Sequence, residues 1–391
     1  MWDQWPRLRI GARAYMRSTR DRTGGNRYAC GSHFLYQERK DFSVVVDIEG
    51  PGVLYFWRTN RWHGSPWHYE ADGEDHIVSE TATADPLKAR EGSFEDKEPH
   101  YFLPRELFCE PLCWTWTTTK GADLNWRPVM FERALRLAYG RTHYGTGYGI
   151  FHRYMPDLPL SRPLKASDWN SPIPAEVSAL LRSAGTDVAP AAGEGGTREL
   201  TGTVDLLQGT PLTVARIMDG PASIRAFKLT VDRRNAVELG TCRLRISWDD
   251  RAIPSVDVPV ALFFGAAHLQ NTDNREFVVK SLPVVVRFTE SDLELSCYFP
   301  MPFRVSAHVE IVSRTSTPIT GVSYSVRYQP CNEPANHVGY FHATHADIPV
   351  PGDGHDIVLL DTRYAEGGGD WSGHVVGTSF VFTRQGNLTP L

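Results

Sequence analysis

The sequence predicts an all-β protein built as tandem jelly-roll β-sandwiches, a double jelly roll with few short helices. Three observations carry that expectation. The 391-residue chain is rich in turn formers and flat side chains, with 33 Gly, 27 Pro, 11 Trp, 15 Tyr and 18 Phe. Such a composition suits many short strands better than long helices. Apolar and polar residues alternate with a period of two in several runs, and the two halves of the chain echo one another in order.

The alternation is clearest in the C-terminal half. Cys242, Leu244, Ile246 and Trp248 alternate with Arg243, Arg245 and Ser247. Ala307, Val309 and Ile311 alternate with His308 and Glu310, and Val322, Tyr324, Val326 and Tyr328 with Ser323, Ser325 and Arg327. Each run places one face on a core and one toward solvent. The apolar run Gly373–Phe382 also reads as a strand. The best helical signal is Ala175–Ser183, with Pro174 at its first turn and Gly185 beyond its end. The Gly-, Ala- and Pro-rich stretch between Arg182 and Arg198 reads as a linker or long surface loop.

The echo of the two halves rests on four matches. Asp47-Ile48-Glu49-Gly50-Pro51 corresponds to Ile217-Met218-Asp219-Gly220-Pro221, and Tyr69–Gly73 to Ile246–Asp250. Pro128–Phe131 followed by Ala134 corresponds to Pro300–Phe303 followed by Ala307, and the strands after these end at Tyr154 and Tyr328. A period of about 170 residues is too long for a solenoid or propeller blade and suits one sandwich per repeat. Shared turn chemistry is the competing explanation. The expected organisation is a first jelly roll over residues 1–160 and a linker with a short helix over 161–200. A second jelly roll follows over 201–345, and 346–391 begins a further, truncated β segment.

Charge and patterning exclude several classes. The formal net charge is −5, from 41 basic and 46 acidic residues, which argues against a nucleic-acid partner. No apolar run is long enough for a transmembrane helix, so no membrane partner is expected. The first residues lack the apolar core of a secretory signal, which leaves the cytoplasm as the default compartment. The six cysteines, Cys30, Cys109, Cys113, Cys242, Cys297 and Cys331, are too sparse for a disulfide scaffold and read as free thiols. No metal is expected. Cys109 and Cys113 lack a second ligand pair, His342 and His345 are not set as a pair, and Asp353 and Asp356 supply only a fragment of a calcium loop. Nucleophile-elbow, Walker and dinucleotide motifs are absent from the sequence, and Gly145–Gly149 is glycine-rich without the helix that should follow.

The remaining motifs suit sugar recognition or plain structure. Asp21-Arg22-Thr23-Gly24-Gly25-Asn26 is a tight turn in which Arg22 offers a planar fork for a carboxylate or vicinal hydroxyls and Asn26 a side-chain amide. It serves as a structural turn or as a sugar- or anion-binding loop. Trp57, Arg58, Trp62 and Trp67 cluster with His63 and His68, either as a sugar platform or as core and rim packing. Cys113–Lys120 alternates tryptophan with threonine and reads as a half-buried strand. Asp257 and Glu276 are candidate glycosidase carboxylates, each equally an ordinary surface acid.

Asp21–Asn26, Asp47–Gly52, Leu244–Gly265, Tyr298–Phe303 and Gly373–Thr378 together resemble glycoside hydrolase family 172, once a domain of unknown function. The segment between, with Trp114-Thr115-Trp116 and Tyr144–Gly147, resembles the extra jelly roll of its longer members. The resemblance implies a double jelly roll like some viral capsid proteins, homo-oligomers (trimers or hexamers), and hydrolysis of difructose anhydrides, fructofuranosides or D-arabinofuranosides. It implies two catalytic glutamates and no organic cofactor. The family's two glutamate stretches, Trp-Gly-Glu-Gly-Asp-Glu and Gly-Thr-Gly-Thr-Glu-Asp, follow the segment matching Gly373–Thr378 and do not occur here. No catalytic residue carries over. The resulting expectation is a carbohydrate-active fragment or non-catalytic part of such a hydrolase, contacting sugar hydroxyls through Arg22, Asn26 and Arg58. The alternatives are a carbohydrate-binding module and a capsid-like structural assembly protein.

Overall fold

The computed structural model describes residues 4–23, 33–39, 42–60, 66–81, 100–119, 122–140, 147–155, 171–349, 358–369 and 373–382. The protein is all-β, and the chain divides into two compact units, one of Arg9–Arg182 and one of Met1–Leu8 with Ser183–Pro390.

The first unit contains β1 (Ala12–Ser18), β2 (Tyr36–Arg39), β3 (Phe42–Glu49), β4 (Gly52–Asn60), β5 (Trp67–Ala71) and β6 (Glu74–Glu80). It continues with β7 (Phe102–Leu103), β8 (Cys113–Trp114), β9 (Ala122–Asn125), β10 (Val129–Phe131), β11 (Ala134–Tyr139) and β12 (Gly147–Tyr154). One sheet runs β1-β12-β4-β9-β8, with β10 also on β4, and the other runs β2-β3-β11-β5-β6-β7. The second unit contains β13 (Arg198–Leu206), β14 (Pro211–Ile217), β15 (Ala222–Asp232), β16 (Arg243–Trp248), β17 (Val256–Pro259) and β18 (Phe277–Lys280). Its last strands are β19 (Val284–Phe288), β20 (Asp292–Cys297), β21 (Met301–Phe303), β22 (Ala307–Val312) and β23 (Ile319–Pro330). Its sheets are β13-β23-β15-β20-β19-β18, with β21 on β15, and β14-β22-β16-β17.

Both units have jelly-roll topology. In the first, the eight principal strands are β1, β3, β4, β5, β6, β9, β11 and β12. One sheet takes the first, eighth, third and sixth of these, and the other the second, seventh, fourth and fifth. In the second, β13, β14, β15, β16, β17, β20, β22 and β23 fall into the same two orders.

Alternation sets what each strand buries. Leu244, Ile246 and Trp248 of β16, and Ala307, Val309 and Ile311 of β22, point into the second core. Trp67, Tyr69 and Ala71 of β5 and Leu135, Leu137 and Tyr139 of β11 do the same in the first. Each buried side chain of this size contributes roughly 2 kcal/mol of transfer free energy.

The echo between the halves is geometric. Gly50 and Gly220 occupy the same turn, between the second and third principal strands. A Cβ on Gly50 would meet Phe131 Cδ2 at 2.8 Å, and one on Gly220 would meet Arg304 O at 2.4 Å. Asp72 and Asp249 sit after the fourth strand with φ of 56° and 53°. Asp72 accepts the backbone N–H groups of Glu132 (2.8 Å), Arg133 (2.6 Å) and Ala134 (3.0 Å). Asp249 accepts those of Arg304 (3.0 Å), Val305 (2.7 Å) and Ser306 (3.1 Å), and the Tyr340 hydroxyl as well. A third shared feature is a β-bulge. Tyr55 is an extra residue of β4 against β12, and Arg225 an extra residue of β15 against β23.

Ala175–Arg182 is helical (α2), as the sequence predicts. Residues 187–190 are anchored on β15 and β23: Asp187 pairs with Lys228 and Arg327, and Arg327 also donates to Pro190 O at 2.8 Å. Two expectations are corrected. Residues 113–119 do not form one strand, and Lys120 lies outside the described residues. After the two residues of β8, Trp116–Thr119 form one helical turn (α1), because Asp123 accepts the Trp116 N–H at 2.8 Å and Thr115 O accepts that of Thr118. Residues 373–382 form no strand either. No neighbouring strand pairs with them among the described residues, and Val375 is 77% exposed. An apolar alternation makes a strand only where an edge is available to complete its hydrogen bonds.

Burial raises both carboxyls, but the three backbone donors on Asp72, and the Tyr340 hydroxyl followed by three backbone donors on Asp249, outweigh it and hold both below the usual carboxylate range. Their stabilisation is therefore complete above the unfolded-state carboxylate pKa and lost as pH falls through the lowered folded value. Asp249→Ala is expected to cost about 2 kcal/mol in urea unfolding at pH 7 and less at pH 3, with Asp249→Asn milder. An equal cost at both pH values would count against the charged-acceptor account.

Candidate functional site

Two of the residues nominated for sugar contact, Arg22 and Arg58, lie at one end of the first jelly roll. Ser18, Tyr148, Arg58 and Leu124 face one another across β1, β12, β4 and β9. Arg22 follows β1 and donates to Ser18 O (2.9 Å) and His33 O (2.8 Å). Two of the five N–H groups of its guanidinium thus close the start of the β1–β2 connection. Burial, then the charges of Arg17 and Arg20, lower its pKa, and it remains a cation. Thr23 donates backbone N–H and hydroxyl to Asp21 Oδ1, which completes the turn. Arg22 hangs on Ser18, two strands from Arg58, a separation of about 10 Å at ordinary strand spacing. Asn26 lies outside the described residues.

Arg58 is on the outer face of its sheet, with its guanidinium 5.7 Å from the centre of the Tyr148 ring. Phe56 joins the same face, 5.5 Å from Tyr148 and 4.9 Å from Trp126. One residue further along each strand, the inner face of this corner is polar. Gly147, Thr59 and Asp123 face one another there. Trp57 and Trp67 are core residues, 3% and 2% exposed, so these two pack in the core rather than form a platform. Trp62, His63 and Gly145 lie outside the described residues.

Sequence reasoning missed a buried acid pair here. Asp123 (β9) and Glu80, the last residue of β6, come from opposite sheets and share a side-chain hydrogen bond. They are 3% and 8% exposed. Asp123 also accepts the Trp116 N–H at 2.8 Å and the Thr59 hydroxyl at 3.3 Å. Burial pushes the Asp123 carboxyl up to about 6, against the Glu80, Trp116 and Thr59 hydrogen bonds and the Arg58 charge. Two carboxyls in contact share a proton because both cannot ionise together. Such a pair titrates as one coupled unit. It is not the glycosidase arrangement, which needs carboxyls about 5–9.5 Å apart with a sugar between them. Both acids sit at positions where strand alternation turns a side chain inward, and an acid at an inward position is the signal that was available.

The acids that the sequence did nominate are ordinary ion-pair partners. Asp257 pairs with Arg243 (2.5 Å) and Arg245 (3.4 Å), and Glu276 with Arg287 (3.0 Å). Asp257 lies on β17 and Glu276 next to β18, strands of different sheets. His342 is engaged by Glu366, which also pairs with Arg251 (3.4 Å) and accepts from Ser255 (3.0 Å). Among the described residues no group of three His, Cys, Asp or Glu is placed to hold a metal. Asp353 and Asp356 lie outside them.

The fold is that of an all-β protein of two jelly rolls. The second jelly roll carries the family signal: residues 197–326 match the model of the GH172 domain-like family. The match covers about a third of the chain. None of the curated proteins matches. Among solved structures, a conserved protein of unknown function from Pseudomonas aeruginosa PAO1 aligns at 8% identity and TM-score 0.16, over 74% of this chain and 79% of that one. The major capsid protein P2 of bacteriophage PM2 aligns at 8% and 0.16, over 80% and 98%. The vicilin of Solanum melongena aligns at 7% and 0.12, over 74% of each. Scores this low carry no argument about fold or function.

Because the folded-state pKa of Asp123 is raised, the folded protein binds the extra proton, and this group's contribution to stability falls as pH rises from about 4 through about 6. Asp123→Asn is expected to flatten that slope and to raise stability at pH 7 relative to pH 4.5. Urea unfolding followed by tryptophan fluorescence reads it, and an unchanged slope in the variant would remove the shared proton from the account.

Proposed function

We propose that this chain is a glycoside hydrolase-like, carbohydrate-active protein that recognises furanosides, and that the residues described above bind the sugar rather than cleave it. The match of residues 197–326 to the GH172 domain-like family carries this reading. The furanoside class is supported by the motif resemblance, and the binding role by the site. Arg58 presents a charged fork beside the half-buried Tyr148 ring, on the face shared with Phe56 and the exposed Trp126, which fits the polar edge and apolar C–H face of a sugar. Arg22 and Asn26 are assigned as further hydroxyl contacts. No carboxylate is assigned a catalytic role, since the buried pair Asp123 and Glu80 is in direct contact.

The test is a panel of difructose anhydrides, inulobiose and aryl arabino- and fructofuranosides, assayed for both binding and turnover. Binding without turnover is the expected result, with Arg58→Ala weakening affinity about 10-fold. Turnover would overturn the non-catalytic role and make Asp123→Asn and Glu80→Gln the next variants. Absence of both from the folded chain would overturn the furanoside reading.

A further inference from the structure

One edge of the first jelly roll concentrates positive charge that the furanoside reading does not use. Between Gln4 and Gln37 the sequence holds seven arginines and one acid, Asp21, in a chain whose formal net charge is −5. The structure gathers several of these arginines. β1 is the edge strand of its sheet, and alternation puts Arg13 and Arg17 on one side of it. Arg153 of β12 stands directly across from Arg13. Arg9 precedes β1, its carbonyl accepting the Ala12 N–H at 3.0 Å, and Arg20 follows it. Arg9, Arg13, Arg17 and Arg20 are exposed, and Arg153 is half-buried.

Among the described residues none of these five forms an ion pair. Other cations of the chain are matched: Arg136 holds Glu38 and Glu70, Arg243 and Arg245 hold Asp257, and Arg327 holds Asp187. Glu38, the acid of β2, is thus already engaged, and Asp21 accepts from Thr23. The arginines also act on one another, since Arg17 and Arg20 add to burial in lowering the Arg22 pKa. Charged side chains on an edge strand discourage pairing with another sheet, but a few of either sign serve that purpose. Five of one sign add a mutual repulsion that edge protection does not need. The seven residues of β1 span about 20 Å, so the stripe is longer than one sugar and suits a chain with repeated anionic groups. A guanidinium fork matches the paired oxygens of such groups. The stripe ends at the sugar corner: Ser18 closes β1, and Tyr148 lies between it and Arg58.

We propose that the β1 edge binds an acidic polysaccharide, with its anionic groups along Arg13, Arg17 and Arg20 and a furanosyl residue at the Arg58 corner. The inference deepens the furanoside reading and rests on it for the choice of a glycan over other polyanions.

Inulin and carboxymethyl inulin are furanoside polymers that differ in their carboxylates, and isothermal titration compares them on the unaltered chain at low ionic strength. Carboxymethyl inulin is expected to bind at least about 10-fold more tightly, with the gain shrinking as salt is added. The double variant Arg13→Gln with Arg17→Gln is expected to lose most of that gain while keeping the affinity for inulin and the urea unfolding curve of the wild type. Arg58→Ala is expected to weaken binding of both polymers. Arg216→Gln, at an exposed arginine of the other unit, is expected to alter neither. Equal affinity for the two polymers would overturn the acidic glycan and leave the furanoside reading standing, whereas binding of neither would overturn both. A gain that survives the double variant would overturn the assignment to β1. Poly-L-glutamate or duplex DNA bound as tightly as carboxymethyl inulin would overturn the choice of a glycan.

Discussion

A carboxylate that accepts three consecutive backbone N–H groups organises each half of this protein. Asp72 and Asp249 follow the fourth principal strand, and their donors belong to the turn that opens the seventh. A jelly roll brings these two segments together across about 60 residues of chain, and turns on the rim of a sandwich have few other ways to satisfy their donors. The carboxylate needs a left-handed backbone to reach them, which Asp tolerates better than most residues. The close approach at Gly50 and Gly220 adds a steric constraint at the same kind of junction. Register in the adjoining strands follows from these two fixed points, and burial of the alternating apolar faces follows from register.

This explains which parts of the fold were legible in the sequence. The alternation at Leu244, Ile246 and Trp248 is a direct imprint of one buried face. The correspondence of the halves was visible through Gly50 with Gly220 and Asp72 with Asp249, positions where geometry tolerates few residues. Trp114 and Trp116 misled, because alternation with threonine looks the same whether the backbone extends or makes one helical turn, and the deciding contact comes from Asp123. The run through Val375 misled for a different reason, since a strand is a property of two segments and only one is written locally.

The candidate site was legible to a lesser degree. Arg58 and Arg22 stood out by residue type, and the structure places them at one corner. The glycines around them gave no hint of what Arg22 does with its donors, which is to close its own loop. Glu80 and Asp123 were invisible as a pair, because they lie on separate sheets and each alone resembles a surface acid. Such pairing is a consequence of closure, and no local pattern encodes it.

The bulges at Tyr55 and Arg225 have a consequence for how the two halves diverge. The extra residue stands outside the ladder, so its identity is released from strand register while its location stays fixed by the backbone. One half fills that place with an aromatic ring that packs on His152, and the other with a cation that faces a cleft. A sandwich used twice in one chain thus contains a socket whose occupant differs without disturbing the frame, and chemistry can be exchanged there one side chain at a time.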